Sequence, residues 1–264
     1  MKIRQIRNAT LKIEYAGKIF LIDPWLIGKR KFGSFSNIPN LPFHVVDPVK
    51  WEIPMPIFDL PDSLENILEG VDYYLITHVH PDHIDMNPNG TVGEFLDKNI
   101  PVLVQDETDA EILKKSDFKN VNIIGENIFE ICDIKITKTP ALHGKIKPMC
   151  NACGIIFQSE NEKTVYVAGD TVWFNGVKKT LQKFNPDVVV VNGCAAEFVE
   201  YGRLIMNDED IECVAKTSPH SDIFITHMDN VPHASITRNS MRGFLAKRGI
   251  KNYFMPEDGE TLEF

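Results

Sequence analysis

Short runs of nearly alternating apolar and polar residues occupy the first 22 positions of the chain. Turn-forming segments at Arg7-Asn8-Ala9 and Ala16-Gly17-Lys18 separate these runs. Because successive side chains of a strand point to opposite faces, this alternation predicts strands with one buried face. The chain is therefore predicted to begin with a β-meander, whose third strand ends in Ile22-Asp23-Pro24-Trp25.

The pattern changes between Gly28 and Pro61, where prolines and aromatic residues follow one another without a regular period. The residues concerned are Pro39, Pro42, Pro48, Pro54, Pro56 and Pro61 with Phe32, Phe35, Phe43, Trp51 and Phe58. Loops of this length in compact domains are usually functional or disordered, and the aromatic content argues against disorder. We expect an ordered loop over 28–61 that forms a wall or lid of a substrate pocket. The alternative is an arm packed on the core or a dimer contact.

From position 62 onward, short apolar runs alternate with segments that carry helix-capping residues. Strands are predicted at 71–76, 102–104, 121–124, 128–131, 134–139, 154–158, 164–168, 187–191 and 222–226. Helices are predicted from Asp62 to Gly70, from Thr91 to Lys98, from Thr108 to Ser116, from Asp208 with Asn207 as its cap, and from Ser235 to Arg248. Strands that alternate with helices are typical of an α/β fold.

The overall composition is that of a globular protein and disfavours several function classes. The 264 residues are 43% hydrophobic and 25% charged, and we expect one domain over 1–264. Without an apolar run of about 20 residues or a secretory signal, we expect a cytoplasmic protein with no membrane span. The net charge of -9 disfavours nucleic acid as a partner, since such binding depends on Lys and Arg.

The cysteines do not describe a disulfide framework. The chain has five, an odd number at irregular spacing: Cys132, Cys150, Cys153, Cys194 and Cys213. The segment Cys150-Asn151-Ala152-Cys153 is a single C-x-x-C with no second pair. It is expected to contain reduced, structural cysteines, with a redox pair or half of a zinc site as the alternatives.

The clearest chemical signal is the segment Thr77-His78-Val79-His80-Pro81-Asp82-His83-Ile84-Asp85, directly after the predicted strand 71–76. Three of the eight histidines of the chain fall within it, beside two carboxylates. Imidazole and carboxylate are the ligands of zinc, manganese and iron, and open α/β sheets build their sites at the carboxyl ends of strands. The segment predicts a metal site. The alternative is a set of histidines that cap a strand or lie on a solvated loop.

The H-x-H-x-D-H pattern resembles that of the metallo-β-lactamase fold hydrolases, and later strand ends match the other ligand positions of that family. These are His143 in Leu142-His143-Gly144, Asp170 in Gly169-Asp170-Thr171 and His227 in Thr226-His227-Met228. The resemblance implies a four-layer αβ/βα sandwich. It assigns His78, His80 and His143 to one metal ion, Asp82, His83 and His227 to a second, and Asp170 to both. His233 is a rival for the last position, and Asp23 is expected beside the site without being a ligand.

Within the superfamily, the chain looks closest to the branch of L-ascorbate-6-phosphate lactonase-like proteins and of phospholipase D-type enzymes that cleave N-acyl phosphatidylethanolamine. The D-P-W strand end, the G-D-T motif and the H-M-D segment carry this narrower resemblance. It leaves the substrate open, because one fold supports many chemistries.

Two divalent ions about 3.5–4 Å apart can activate a bridging water at neutral pH and stabilise negative charge. We therefore predict a hydrolase with two zinc or manganese ions, a metal-bridging hydroxide, and Asp82 and Asp170 as catalytic carboxylates. The substrate is expected to be a small ester, lactone or phosphodiester, anionic or carbonyl-bearing. Trp25, Trp173 and His233 are predicted pocket residues.

Three alternatives remain open at this point. The first is an iron oxidoreductase on the same fold, since His and carboxylate ligands also suit iron. The second is a non-catalytic metal-binding protein, and the third is a nuclease, which the acidic charge balance disfavours. A homo-oligomer is also possible.

Overall fold

The computed structural model describes residues 1–37 and 43–264. The strands are β1 Lys2–Arg7, β2 Thr10–Tyr15, β3 Lys18–Ile22, β4 Tyr73–Ile76, β5 Val102–Val104, β6 Val121–Ile123, β7 Phe129–Ile131, β8 Ile134–Pro140, β9 Cys153–Gln158, β10 Val165–Val167, β11 Val188–Asn192, β12 Glu197–Phe198, β13 Gly202–Arg203, β14 Asp222–Thr226, β15 Tyr253–Phe254 and β16 Thr261–Glu263. The α-helices are α1 Pro48–Trp51, α2 Leu64–Leu68, α3 Glu107–Lys115, α4 Asn175–Phe184, α5 Asp208–Thr217 and α6 Arg238–Lys247.

Two seven-stranded sheets form the centre of the described fold. Their strand orders are β16-β1-β2-β3-β4-β5-β6 and β15-β14-β11-β10-β9-β8-β7. Each sheet combines a run of antiparallel neighbours with a run of parallel ones. The strands β12 and β13 form a separate small ribbon.

The sheets pack face to face, and helices cover their outer faces. The side chains of Leu11 and Phe20 meet those of Phe157 and Val188 between the sheets. Helices α2 and α3 pack on the first sheet, and α4, α5 and α6 pack on the second. The structure thus confirms the predicted four-layer αβ/βα sandwich.

This layering explains why some strands alternate in polarity and others are wholly apolar. In β11, Val188 and Val190 face the layer between the sheets, whereas Val189 and Val191 face the helices. Both faces of this parallel strand are covered, so its sequence is a continuous run of valines. Among the residues that the structure describes, no helix is long and apolar enough to cross a membrane.

Several predicted elements differ from the structure. Residues 91–98 form turns where a helix was predicted, because Gly93 adopts a φ of 66° and its N–H bonds to the carbonyl of Asp85. Helix α3 begins at Glu107, one residue before the predicted start at Thr108, since Asp106 caps it by accepting the hydrogen bond from Asp109 N. The last helix begins after Thr237, which caps it, and not at Ser235.

Six elements were not predicted: α1, α4, β12, β13, β15 and β16. Helix α4 has no side-chain cap at its first turn, so the sequence lacked the usual start signal. Strand β16 pairs with β1 over only three residues, too few to give a clear period. The prolines at 39 and 42 of the predicted loop lie outside the described residues.

The site is gathered at one edge of the sandwich, where strands of both sheets end. The predicted ligands follow the carboxyl ends of β4, β8, β10 and β14, and Asp23 follows β3. Strands β8 and β10 are both antiparallel to β9, so their carboxyl ends lie on the same side. Residues far apart in the sequence therefore come together at this edge.

Gly169 is required where the chain leaves β10 and turns toward Asp170. Its φ is 66°, and an added Cβ would lie 2.4 Å from the carbonyl oxygen of Cys153. We expect Gly169→Ala to destabilise the protein by about 3 kcal/mol, because left-handed strain and a backbone clash act together. Chemical denaturation measures this loss.

Gly243→Ala provides the matched control for that substitution. Gly243 lies inside α6, and an added Cβ would meet nothing within 4 Å. This variant should be neutral or more stable by up to about 1 kcal/mol, since alanine is the better helix former. Equal stabilities for the two variants would contradict the strain assigned to position 169.

Candidate metal centre

Asp170 lies at the centre of the cluster, surrounded by imidazoles. Its Oδ2 is 3.2 Å from Nε2 of His83, 3.7 Å from Nδ1 of His143 and 3.8 Å from Nε2 of His78. Its Oδ1 is 3.8 Å from Nε2 of His227. One buried carboxylate therefore faces imidazoles contributed by three different strand ends.

Asp82 and His80 complete the set at opposite sides of this centre. The Oδ2 atom of Asp82 is 3.3 Å from Nε2 of His227, which lies 3.1 Å from Nε2 of His83. On the other side, Nδ1 of His80 lies 2.9 Å from Nε2 of His78. The structure thus brings all seven predicted ligand residues together at one site.

Neighbouring side chains fix the orientation of these rings. Asp23 accepts hydrogen bonds from the backbone N–H and the hydroxyl of Thr77, both at 2.7 Å. Its Oδ2 lies 2.8 Å from Nδ1 of His83, which turns Nε2 of that ring toward Asp170. Carboxylates that hold the second nitrogen of a histidine are typical around bound metals.

Two asparagines that sequence reasoning missed also hold the two aspartates, one through its carboxylate and one through its backbone. Asn192 Nδ2 donates to Oδ1 of Asp170 at 2.6 Å, and Asn8 Nδ2 donates to the carbonyl of Asp82 at 3.0 Å. Asn192 is the last residue of β11, at the same sheet edge as the ligands. In the sequence, only the position of Asn192 at a strand end could have indicated that it holds Asp170.

The backbone at Asp23 and His227 is in the left-handed region, with φ of 44° and 61°. Non-glycine residues rarely adopt this conformation, which costs about 1–3 kcal/mol and often occurs at functional sites. Backbone hydrogen bonds hold both residues: Asp23 N donates to Leu75 O, and His227 N donates to Asn8 O. The fold therefore tolerates strain at two residues of the cluster.

The donor set fits divalent metal ions. His143 can donate from Nδ1 to the carbonyl of Leu204 at 3.1 Å, yet its Nε2 is buried without a hydrogen-bond partner. Nε2 of His78 and Nδ1 of His80 lie 2.9 Å apart, close enough for both nitrogens to bind one ion. A divalent cation satisfies these atoms, and nitrogen and carboxylate donors suit zinc or manganese.

The charge states of the cluster are also those of ligands. Burial lowers the pKa of His80 to about 4 and holds the pKa of His78 well below its usual value, so both rings are neutral at pH 7. Burial would raise the pKa of Asp82, but hydrogen bonds from His227 and His233 hold it well below the usual range. Asp170 is likewise ionised, since the nearby His83 and His227 outweigh its burial.

Metal uptake is expected to release protons from the rings of His83 and His227. Burial lowers the pKa of His83, but Asp170 and Asp23 raise it to about 10, and the pKa of His227 is also raised. A cation must displace these protons, so its apparent affinity should rise about 10- to 100-fold per pH unit between about pH 6 and 8. Chelator competition at several pH values measures this slope, and a pH-independent affinity would contradict it.

A cavity of about 320 Å³ opens on the cluster and is mostly apolar. Its described lining consists of Phe32, Phe35, Phe43, His80, Pro81, Asp82, His143, Met149, Asp170, Ala196, Phe198, Leu204, Ile205 and His233. The ring of His233 stacks on Phe43 at 4.7 Å and on Phe35 at 5.3 Å. No lysine or arginine belongs to this described lining. Larger cavities, of about 560, 550 and 340 Å³, open elsewhere and include none of the predicted ligands.

Of the three predicted pocket residues, only His233 lines the described cavity. Trp25 is fully buried in the core, with the guanidinium of Arg7 4.8 Å from its ring centre. Trp173 is half-buried against the helices of the second sheet, where its backbone N–H donates to the carboxylate of Asp210. The prediction of Trp25 and Trp173 as pocket residues is therefore wrong. Both side chains pack against residues distant in the sequence and do not line the described cavity.

Comparison with known proteins agrees with this geometry. The model of the beta-lactamase superfamily domain matches residues 45–228. The chain is 38% identical over 270 aligned residues to the UPF0173 protein YddR of Bacillus subtilis, covering 100% of both chains. This chain belongs to the UPF0173 family of metal-dependent hydrolases.

Another UPF0173 metal-dependent hydrolase, from Nanoarchaeum equitans, is 33% identical over 137 residues, 48% of this chain and 59% of that one. Among solved structures, an isothiocyanate hydrolase from Delia radicum gut bacteria superposes with a TM-score of 0.89. The two chains share 34% sequence identity, and the alignment covers 100% of this chain and 99% of that one.

The family favours a hydrolase over the oxidoreductase and non-catalytic alternatives. The narrower resemblance to the L-ascorbate-6-phosphate lactonase-like branch is not confirmed by these relatives.

Proposed function

We propose that this hydrolase cleaves a small, uncharged, apolar electrophile, with an organic isothiocyanate as the leading candidate. The observation that carries this proposal is the aromatic cavity, which opens directly on the His and Asp cluster and whose described lining has no cationic side chain. A phosphodiester would place its charge among phenylalanines with no Lys or Arg to pair it, which is costly. The isothiocyanate hydrolase relative, at 34% identity, supports the same class.

The proposed centre holds two divalent ions, zinc or manganese. Short distances support a division of the ligands into His78, His80 and His143 on one side and Asp82, His83 and His227 on the other. Asp170 faces rings of both groups and is the proposed bridge. Ions bound there would supply a water that is acidic at neutral pH and a positive centre for developing negative charge.

The reaction adds water to the isothiocyanate and then releases an amine. The water oxygen bonds to the central carbon, its proton goes to the nitrogen, and the resulting thiocarbamate loses carbonyl sulfide. Atoms balance: one isothiocyanate and one water give one amine and one carbonyl sulfide. No oxidant or reductant is required.

Side chains at the cavity supply orientation and proton handling for this reaction. Asp82 is ionised, and its spare lone pairs can accept a hydrogen bond from the attacking water. His233 lies with Nε2 3.7 Å from Oδ2 of Asp82, so it can pass a proton to the substrate nitrogen. Phe35, Phe43 and Phe198 hold the apolar group and exclude bulk water.

A substrate panel tests this proposal. Metal-loaded protein should hydrolyse benzyl isothiocyanate with a kcat/KM about 100-fold or more above that for bis(4-nitrophenyl) phosphate, because the cavity discriminates against an unpaired charge. Amine release and nitrophenolate release measure the two reactions. Uncharged esters and lactones of similar size belong in the panel, since the cavity polarity also suits them. Preference for the phosphodiester would overturn the proposed substrate class.

A further inference from the structure

Cys150 lies beside one half of the metal cluster. Its Sγ and one ring nitrogen each of His78, His80 and His143 all lie within 4.8 Å of one another. The side chain is half-buried, and the cysteine is not in a disulfide. Four potential metal-binding atoms thus converge on one position, and the fourth is a sulfur outside the predicted ligand set.

A second observation points to a ligand at the same position. The Nε2 atom of His143 is buried without a hydrogen-bond partner, and the residue is only 2% exposed. Its other nitrogen is already directed to the carbonyl of Leu204. Leaving a buried polar atom unpaired is unfavourable, so this nitrogen is placed to bind something that the protein itself does not supply.

The loop that carries Cys150 is fixed on both sides. Before it, Met149 N donates to the carbonyl of His143 at 2.7 Å, which returns the chain to the cluster. After it, Asn151 is held through its carbonyl, which accepts from Gln105, and through its side chain, which donates to Asp106. In the tight turn from His143 to Met149, a Cβ on Gly144 would lie 2.1 Å from the carbonyl oxygen of Lys147. The sulfur is therefore held near the histidines by its neighbours.

We propose that Cys150 is a ligand of the metal ion held by His78, His80 and His143, and that its thiolate makes this position select zinc over manganese. The inference rests on the metal centre of the proposed function and deepens it by naming the metal. On binding, the thiol loses its proton to solvent and the sulfur lone pair bonds to the ion. Thiolates favour zinc, whereas manganese prefers oxygen ligands.

Cobalt substitution tests this inference without relying on activity. Full-length protein is stripped with a chelator and titrated with Co²⁺, and its absorption spectrum is recorded. A thiolate ligand produces a sulfur-to-cobalt charge-transfer band in the near ultraviolet, which nitrogen and oxygen ligands do not produce. Wild type should show this band, and Cys150→Ser should lose it while keeping the visible cobalt bands.

Two control variants test whether another sulfur produces the band, one on the surface and one near the site. Cys132→Ser removes an exposed cysteine, and Cys194→Ser removes the sulfur that lies 3.6 Å from Nδ1 of His227. Both should keep the charge-transfer band. A band that survives in Cys150→Ser, or a wild type that binds cobalt without the band, would overturn the inference. A wild type that binds no cobalt would instead overturn the metal centre of the proposed function itself.

Metal competition provides a second readout. The ratio of zinc to manganese affinity should fall in Cys150→Ser by at least about tenfold, the loss typical even of groups outside the ligand set. Competition with a chromophoric chelator measures both affinities. An unchanged ratio would contradict a role for the sulfur in metal selection.

Discussion

Asp170→Asn is expected to lower kcat/KM by at least about 10³-fold and to reduce the metal content of the purified protein. The carboxylate lies within 3.8 Å of nitrogens of His78, His83, His143 and His227. Within residues 1–37 and 43–264, no other acid contacts all four rings. Asparagine keeps the shape but removes the negative charge that draws cations into the cluster. Elemental analysis beside steady-state kinetics measures both effects.

Asp222→Asn is the matched control for this substitution. Asp222 is the first residue of β14, at the opposite end of the strand from His227, and pairs only loosely with Lys163 at 4.0 Å. It should leave metal content and kcat/KM unchanged. Full metal content in Asp170→Asn, with activity near that of wild type, would contradict the bridging role.

Arg7→Met is expected to lower the free energy of unfolding by about 4 kcal/mol. The guanidinium of Arg7 is fully buried and donates to the carbonyls of Trp25, Ile27 and Phe58. Methionine fills a similar volume but leaves these carbonyls without a donor. It also removes the cation that partly balances Asp85, whose Oδ1 accepts from Leu26 N and Ile27 N.

The stability lost in Arg7→Met should be larger at high pH than at low pH. Burial raises the pKa of Asp85 to about 7, and Arg7 acts against this rise. Without Arg7 the pKa of Asp85 rises further. An acid whose folded pKa is raised loses stability as the pH rises from its unfolded pKa to its folded pKa. The extra loss in Arg7→Met accrues above pH 7, between the folded pKa of Asp85 with Arg7 present and the higher one without it, so the substitution should cost more at pH 8 than at pH 5.

Urea unfolding of metal-free protein at the two pH values measures this difference. Arg4→Met on the same strand is the control, because Arg4 is partly exposed and pairs with Asp62 at 3.0 Å. That variant should change stability by less than about 1 kcal/mol. Equal losses for the two arginines, or a larger loss at pH 5, would contradict the account of the buried pair.

These two buried charged residues matter for the site because both bind the segment 25–27 and so join two of its loops. Trp25 and Ile27 follow Asp23, which orients His83, and Asp85 lies two residues after His83. The carboxylate of Asp85 and the guanidinium of Arg7 thus hold the chain on both sides of the Asp23–His83 contact. Stability and ligand geometry are coupled at this point.

The cluster of candidate ligands could be predicted because each residue carries its own local signal. His78, His80 and His83 lie within six positions, and His143, Asp170 and His227 each follow a predicted strand. Strand ends on one edge of an α/β sandwich meet in space, so this order along the chain was enough to place them together.

The cavity wall could not be predicted in the same way. Met149, Phe198 and Leu204 come from separate segments, and apolar side chains give the same pattern whether they face a core or a cavity. Trp25 illustrates the opposite error. Its position after the third strand suggested the pocket, but only the three-dimensional contact with Arg7 shows that it belongs to the core.

The predicted substrate also changed for a physical reason. The sequence implied a positive metal centre and hence an anionic or carbonyl-bearing substrate. The structure adds phenylalanines from 32, 35 and 43, part of the proline-rich segment, to the cavity over that centre. This apolar wall favours an uncharged electrophile, which no count of ligands could have indicated.

The central claim is that metal ions held by this cluster carry the hydrolysis, and titrating chelator-stripped wild-type protein with zinc tests it most directly. Benzyl isothiocyanate hydrolysis and bound zinc are measured at each addition. The account predicts negligible activity without zinc, and a rise that levels off at two bound ions per chain. A well-folded, metal-free protein that hydrolyses the substrate at the full rate would contradict it.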